Sequence, residues 1–305
     1  MATRPRSSVE ARLGTSKGIR GNPAVAVSMV LGSICSVQSG AALATTLFDR
    51  VGPAGAVLLR SGIGALILLA VARRDIRPLR GRALRDVVLF GVVLAAMNLS
   101  FYAAIDRLPL GVAVTFEFTG PLAVAVFGSR RRRDLVWAAL AALGILLLSG
   151  LLGGGTTIDL LGALLALFAG ACWGCYILLS ARVGGRSEGL GGLAVAMALS
   201  AVLVAPFGIV QGGGEFVSGS VLLAGLGVGL LSSAIPYALE LEALRRLPNA
   251  VFGVLMSLEP AIAALVGFVA LGQGLDPVEA VAIALVVAAS AGALRSAATP
   301  APRDG

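Results

Sequence analysis

The stretch AIDRLPLGVAVTFEFTGPLAVAVFG, residues 104–128, decides the fold, because a second version of it follows at 243–267 as ALRRLPNAVFGVLMSLEPAIAALVG. Both versions begin near an Arg-Leu-Pro turn, continue as an apolar run and end on glycine with the same spacing. An apolar run of about 20 residues is long enough for an α-helix to cross a bilayer. The sequence therefore predicts a membrane protein that contains an internal duplication.

Apolar runs of similar length follow one another along the whole chain. Hydrophobic residues make up 57% of the sequence and charged residues only 13%, whereas roughly 25% are charged in soluble domains. Strands are excluded because the runs are unbroken rather than alternating. We therefore predict an all-α integral membrane protein of ten transmembrane helices, near 24–48, 54–72, 85–105, 110–129, 134–152, 159–181, 190–211, 219–241, 250–271 and 276–295.

The ten spans divide into two sets of five. Because five is an odd number, the second copy must enter the membrane upside down, and we predict two inverted five-helix repeats. Such repeats are typical of transporters, since exchange of their two conformations gives alternating access to a site at their interface. The predicted parts are a basic tail without fixed structure at 1–23, the first repeat at 24–152, a Gly-rich linker at 153–158, the second repeat at 159–295 and a tail at 296–305.

The basic residues predict the orientation. Almost all of the 24 Lys and Arg residues lie in the N-terminal segment, in alternate loops or at the C-terminus, and the opposite loops contain only Arg50 and Arg107. By the positive-inside rule both termini face the cytoplasm, in a bacterial-type plasma (inner) membrane that the chain crosses many times. The net charge of +8 comes from these loops, without a basic stripe interleaved with aromatics, so we do not expect nucleic acid as a partner.

The composition also argues against enzymes and metal proteins. The chain has no His and only three Cys, which argues against a zinc site, a disulfide scaffold and Ser-His-Asp chemistry. We expect no metal and no cofactor. No nucleophile and base are paired in the sequence, which argues against an enzyme. A channel would need a ring of like residues, usually from an oligomer, and a single chain with an internal repeat argues against one.

Three ionisable side chains fall inside predicted spans: Arg60, Glu117 and Glu259. Each is a candidate for the substrate or proton pathway, because a charge in the bilayer core costs several kcal/mol. Arg60 and Glu117 lie at about equal depth and can pair, although Arg60 can also be structural. The glutamates lie close to Pro121 and Pro260, and these prolines predict helix kinks that expose polar backbone to a cavity.

The three charges suggest different roles. A carboxyl group in a dry cavity binds a proton more readily than one beside a guanidinium. We therefore assign Glu259 to proton coupling and Glu117 to a substrate amine or to structural pairing. Five further polar residues join the candidate pathway. Interhelical hydrogen bonding is the main role expected for Gln38, Asn98 and Tyr102. An inner vestibule is the expected place of Tyr237 and Glu240.

The residues around the two prolines resemble the drug/metabolite transporter superfamily, EamA type. The resemblance covers about 24–295 and is specific in EFTGPLAVA at 117–125, PYALE at 236–240, RLP at 246–248 and MSLEPA at 256–261. It implies efflux of small amino acids such as threonine and homoserine, driven by proton antiport. A zwitterion needs one cation and one anion in its cavity, which Arg60 with either glutamate supplies. Export of another metabolite or of a cationic drug is the alternative.

Overall fold

The structure, a computed structural model, describes residues 23–76, 80–128, 134–148, 158–184, 190–247 and 249–298. These residues form helices and connecting turns, and none of them lies in a strand. Residues 153–157 of the predicted linker and most of both predicted tails lie outside the described residues.

Thirteen α-helices form ten apolar segments in the described ranges. Six segments are long and apolar enough to cross a membrane, and four shorter apolar helices accompany them. The sequence predicts ten transmembrane helices, and ten apolar helical segments are present in the described residues. The α-helices are α1 Pro23–Thr45, α2 Phe48–Val71, α3 Arg82–Ile105, α4 Leu110–Glu117, α5 Thr119–Gly128, α6 Asp134–Leu148, α7 Leu160–Gly184, α8 Gly191–Gly212, α9 Gly219–Gly229, α10 Ile235–Arg246, α11 Asn249–Met256, α12 Glu259–Leu271 and α13 Pro277–Ala298.

The second segment starts earlier than predicted. α2 begins at Phe48 rather than at residue 54, with a break at Gly52, whose φ is +68° and ψ is +168°. Glycine adopts this left-handed backbone readily because it has no Cβ. Pro53 follows, and its fixed φ suits the start of the continuous helix.

The fourth and ninth segments are each broken beside a buried glutamate. Glu117 is the last residue of α4, and Phe118 forms the turn before α5. Glu259 is the first residue of α12, after the turn that ends α11. Pro121 and Pro260 lie just beyond the breaks, and each removes one helical N–H donor. The structure therefore has a break at both places where the sequence predicts a kink.

The eighth segment contains an irregularity that the sequence analysis missed. A π-helical turn, Leu230–Ala234, lies between α9 and α10. Pro236 follows and has no N–H to offer to the carbonyl of Leu231, five residues before it. The hydroxyl of Ser36 in α1 donates to that carbonyl at 2.7 Å instead. A π turn of this kind often accompanies a functional site.

The two sets of five segments pack in matching pairs. α2 packs against α8, α4 against α12 and α6 against α13, which joins the second segment with the seventh, the fourth with the ninth and the fifth with the tenth. The third segment, α3, packs on the sixth, α7, and its counterpart, the eighth, packs on the first, where α10 contacts α1. Helices from both halves therefore surround the middle of the molecule.

One end of the helices is closed by core packing and by ion pairs between loops. Arg50 pairs with Glu215, and Arg107 donates to Asp159 at 3.2 Å. These are the loops that the sequence places on the outer side. Below them lies the largest apolar core, which includes Leu47, Val51, Val57, Ile105, Leu108 and Leu110.

Candidate functional site

A cavity of about 490 Å³ lies among the helices of both halves. α1, α2, α3, α4, α5, α7, α8, α10, α11 and α12 contribute to its wall, together with the π turn. Most of the lining residues lie in the middle of these helices or toward the end opposite the Arg50–Glu215 pair. Among the described residues, the cavity is lined by seven hydrogen-bonding or charged side chains outside the aromatic residues: Gln38, Arg60, Asn98, Glu117, Ser232, Glu240 and Glu259.

Glu259 is tied to the first helix. Its Oε1 accepts a hydrogen bond from Nε2 of Gln38 at 3.1 Å, and both side chains are almost completely buried. Oε2 of Glu259 and Oε1 of Gln38 have no hydrogen-bond partner among the described residues. Buried polar atoms are usually satisfied, so two open acceptors in one cavity are a feature of a binding site.

Glu240 lies in α10 near the same wall. Oε1 of Glu240 accepts a hydrogen bond from the hydroxyl of Ser33 at 2.7 Å. Glu240 and Glu259 are close enough to interact electrostatically. The cavity wall therefore brings the carboxyl group of Glu240 in α10 near that of Glu259 in α12.

Arg60 is the basic group of the cavity. Its Nη1 lies 3.5 Å from the hydroxyl of Tyr102, and its guanidinium lies 5.6 Å from the centroid of the Tyr102 ring. At these distances a cation–π contact is the stronger of the two interactions. Arg60 acts electrostatically on both Glu117 and Glu259. The guanidinium is therefore held beside a ring, within electrostatic range of two carboxyl groups.

Glu117 is positioned by a close helix crossing. A Cβ atom at Gly170 of α7 would lie 2.5 Å from the carbonyl oxygen of Glu117, and one at Gly120 would overlap the carbonyl of Gly170. Only glycine at both places allows α7 to approach the break between α4 and α5 so closely. The backbone of Glu117 is therefore fixed by the packing of α7. Glu117 and Glu259 also interact with each other electrostatically.

An aromatic wall completes the site. Phe118 and Trp173 pack edge to face, with ring centroids 5.4 Å apart at 86°. Tyr176 lies one turn further along α7 and also lines the cavity. Methionine side chains are the flexible part of the lining: Met97, Met197 and Met256. Rigid rings and adaptable thioethers suit a small ligand that must bind and leave.

Most of the predicted pathway residues come together in this cavity. Asn98 lines it, while its amide donates to the carbonyl of Leu94 at 2.8 Å within α3. Tyr102 is fully buried behind Arg60 and is not part of the wall. Pro121 lines the cavity, whereas Pro260 supports the start of α12. Tyr237 belongs to α10, and its side chain lies outside the described part of the structure.

Sequence reasoning missed two serines of the site. Ser33 and Ser232 are buried, and single serines in apolar runs give no signal of their own. Pro236 is the one pointer to Ser232, because proline lies four residues later and disturbs the helix there. In the described ranges no three residues among His, Cys, Asp and Glu are grouped so that they could hold a metal ion.

The comparisons with known proteins agree on a transporter. The model of the EamA-like transporter family matches residues 160–295. The threonine/homoserine exporter RhtA of Salmonella typhimurium is 44% identical over 270 residues, which cover 87% of this chain and 90% of that protein. The protein of the same name in Escherichia coli (strain K12) is 43% identical over 270 residues, with the same coverage.

Two further similarities are more distant. An uncharacterized protein of Pseudomonas aeruginosa is 34% identical over 248 residues, which cover 79% of this chain and 83% of that protein. A solved crystal structure superimposes with a TM-score of 0.63 at 22% identity, covering 91% of this chain and 99% of the other, and it shows the same fold. The named relatives are exporters and not enzymes. Because of this similarity and of its several membrane-spanning helices, the chain is a multi-pass membrane protein that belongs to the EamA-like transporter family.

Proposed function

We propose that this protein exports small amino acids of the threonine and homoserine type across the inner membrane, in exchange for protons. The observation that carries the proposal is the presence of one cation, Arg60, and two carboxyl groups, Glu117 and Glu259, in electrostatic reach of one another within one cavity. A zwitterionic amino acid carries the complementary charges. The relatives named as threonine/homoserine exporters support the same substrate class.

The three charged groups have separate roles in this proposal. Arg60 binds the carboxylate of the substrate, because a guanidinium presents a fork of N–H donors to two oxygens. Glu117 binds the substrate ammonium. Glu259 exchanges a proton, since it lines the cavity and one of its oxygens has no hydrogen-bond partner in the described structure. Binding of substrate and of proton then compete through their shared electrostatic surroundings.

Alternating access follows from two inverted halves. The packing supports an inverted repeat at about 24–152 and 159–295, because equivalent segments of the two sets pair with each other. The second packs against the seventh, the fourth against the ninth and the fifth against the tenth. The family model, which matches 160–295 alone, supports the second repeat as a unit. In this scheme the two halves exchange conformations and expose the cavity first to one side and then to the other.

In this proposal the transporter is in an inward-facing conformation. The cavity extends toward the ends of α5, α7 and α10, where the basic loops lie, and apolar core fills the opposite half. The distribution of Lys and Arg places those basic ends and both termini in the cytoplasm. An exporter in this state accepts its substrate from the cytoplasm.

The proposal is tested in everted membrane vesicles. Their lumen corresponds to the outside of the cell, so an acidic lumen must drive uptake of radiolabelled threonine or homoserine. We expect uptake that saturates and that a protonophore abolishes. Uptake equal to that of vesicles without the protein would refute amino-acid export, and uptake that a protonophore leaves unchanged would refute proton antiport.

A second candidate is export of a cationic drug. It is favoured by the size and apolar lining of the cavity, since drug-sized ligands occupy cavities of roughly 300–1,000 Å³. Arg60 argues against it, because a guanidinium in the wall repels a cation. Vesicles that accumulate a cationic dye but neither amino acid would support this second candidate.

A further inference from the structure

Ser232 carries a buried hydroxyl group in the wall of the cavity. It lines the cavity, its side chain is only 4% exposed, and its Oγ has no hydrogen-bond partner among the described residues. Serine and threonine within a helix usually donate back to a carbonyl of the preceding turn. Ser100 and Thr115 do so in this chain, at 2.7 and 2.6 Å.

The π turn explains why Ser232 does not. The turn spans Leu230–Ala234 and shifts the backbone carbonyls away from the positions that an α-helix provides. Ser36 holds the turn in place through the carbonyl of Leu231. Gly40 of α1 lies against Ser232, so closely that a Cβ atom there would overlap Oγ. The hydroxyl is therefore held at the edge of α1 without a partner of its own.

Gln38 supplies a matching acceptor on α1. Its Nε2 donates to Glu259, which fixes the orientation of the amide, because a carboxylate oxygen accepts and does not donate. Oε1 of Gln38 is then left buried in the cavity wall, without a partner in the described structure. One wall of the cavity thus presents an acceptor and a hydroxyl that can both donate and accept.

We propose that Ser232 and Gln38 form the subsite that binds the side-chain hydroxyl of the transported amino acid. The inference rests on the proposed function and adds to it the selection between hydroxylated and aliphatic amino acids. A substrate hydroxyl donates its proton to Oε1 of Gln38 and accepts from the hydroxyl of Ser232. An analogue with a methyl group in its place leaves both protein groups unpaired, which is the strongest way for a small site to discriminate.

The test measures selectivity in proteoliposomes that contain the full-length protein. Counterflow of radiolabelled threonine is inhibited with unlabelled threonine and homoserine, and with their isosteres valine and norvaline. Ser232→Ala is compared with Ser233→Ala. Ser233 is the matched control, since it is also buried and without a hydrogen-bond partner in the described ranges but does not line the cavity.

We expect Ser232→Ala to lower the preference for threonine over valine by about tenfold. Inhibition by threonine should become weaker, whereas inhibition by valine should be retained. Retained inhibition by valine shows that the variant is folded. Ser233→Ala should keep the wild-type preference. A Ser232→Ala variant with unchanged preference would overturn the inference, as would a wild type that does not distinguish threonine from valine. Absence of any threonine or homoserine counterflow in the wild type would instead overturn the proposed function.

Discussion

The amide nitrogen of Gln38 donates a hydrogen bond to Oε1 of Glu259 at 3.1 Å, and this single bond joins α1 of the first half to α12 of the second. It holds one oxygen of the carboxyl group against α1 and leaves the other open within the cavity wall. A change in the protonation of Glu259 therefore acts directly on a contact between the two halves. Coupling between a proton and a movement of the halves needs such a contact.

The first prediction concerns this carboxyl group. Glu259→Gln keeps the size of the side chain and removes its ability to exchange a proton. We expect accumulation of threonine driven by an acidic lumen in everted vesicles to fall about tenfold or more, while exchange of labelled for unlabelled threonine continues. Both activities are measured in the same vesicle preparation.

The control for this variant is Glu279→Gln. Glu279 lies at the start of α13, where it accepts a hydrogen bond from the backbone of Asp276, away from the cavity. It should retain proton-driven accumulation. Full proton-driven accumulation in Glu259→Gln would exclude Glu259 as the coupling residue.

Glu117 gives a contrasting prediction. Its proposed partner is the substrate ammonium, so Glu117→Gln should raise the KM for threonine in exchange as well as in proton-driven uptake, by about tenfold. Glu259→Gln should leave the exchange KM within a few-fold of wild type. Measurement of KM in both modes separates the two roles, and equal effects of the two variants would show that the division is wrong.

Arg60 is predicted to be the anchor of the substrate carboxylate. Arg60→Lys keeps the charge but loses the planar fork and its contact with the Tyr102 ring. The expected result is a KM for threonine about tenfold higher. Tyr102→Phe is the matched control, because it keeps the ring and removes only a hydroxyl 3.5 Å from Nη1. Should Arg60→Lys transport threonine like the wild type, the carboxylate must bind elsewhere.

The sequence predicts the segments well and the site in part. Apolar runs and alternating basic loops are properties of local sequence, so the ten segments follow from them. Glu117 and Glu259 are recognisable because buried charges are costly in any arrangement. Their convergence on one cavity depends on how α4 packs against α12, which no local pattern contains.

The remaining features arise from contacts between distant residues. Ser33 faces Glu240, and Ser36 holds the π turn through Leu231, across 207 and 195 residues of chain. The sequence predicts interhelical hydrogen bonding as the main role of Tyr102, because its polar group lies within a span. Its burial behind Arg60 is a result of tertiary packing, and only the structure reveals it.

The glycine crossing beside Glu117 gives a prediction about backbone position. Gly170→Ala places a methyl group 2.5 Å from the carbonyl oxygen of Glu117, so α7 or the helix break must shift. Overpacking of this kind costs about 1–3 kcal/mol, and we expect transport to fall about tenfold. Gly174→Ala is the control one turn away, since the added methyl would lie 3.3 Å from the Val124 side chain and, at ordinary contact distance, 3.5 Å from the carbonyl oxygen of Gly120. Equal transport rates for the two variants would show that the crossing does not position Glu117.

The last prediction concerns the loop that joins the two halves at the closed end. Asp159 precedes α7, where Oδ1 accepts a hydrogen bond from the backbone N–H of Gly162 at 2.7 Å and Oδ2 accepts one from Arg107. The hydrogen bond from Gly162 has the largest effect and the one from Arg107 a smaller effect, and both lower the pKa of Asp159 below its ordinary value. The carboxylate therefore stabilises the folded state fully above about pH 4, and this stabilisation is lost as the pH falls through the lowered native pKa.

Two variants separate the cap from the charge. Asp159→Asn retains an oxygen that can cap the helix but has no charge, whereas Asp159→Ala loses both. We expect Tm at pH 7 to decrease in the order wild type, Asn variant, Ala variant, and the difference between wild type and Asn variant to disappear at strongly acidic pH. Fluorescence of Trp137 and Trp173 reports Tm in detergent, with Asp106→Asn as an exposed control of equal charge change. A gap between wild type and Asn variant that stayed constant down to acidic pH would show that the charge of Asp159 does not stabilise the closed end, because protonation removes the charge but leaves the loop intact.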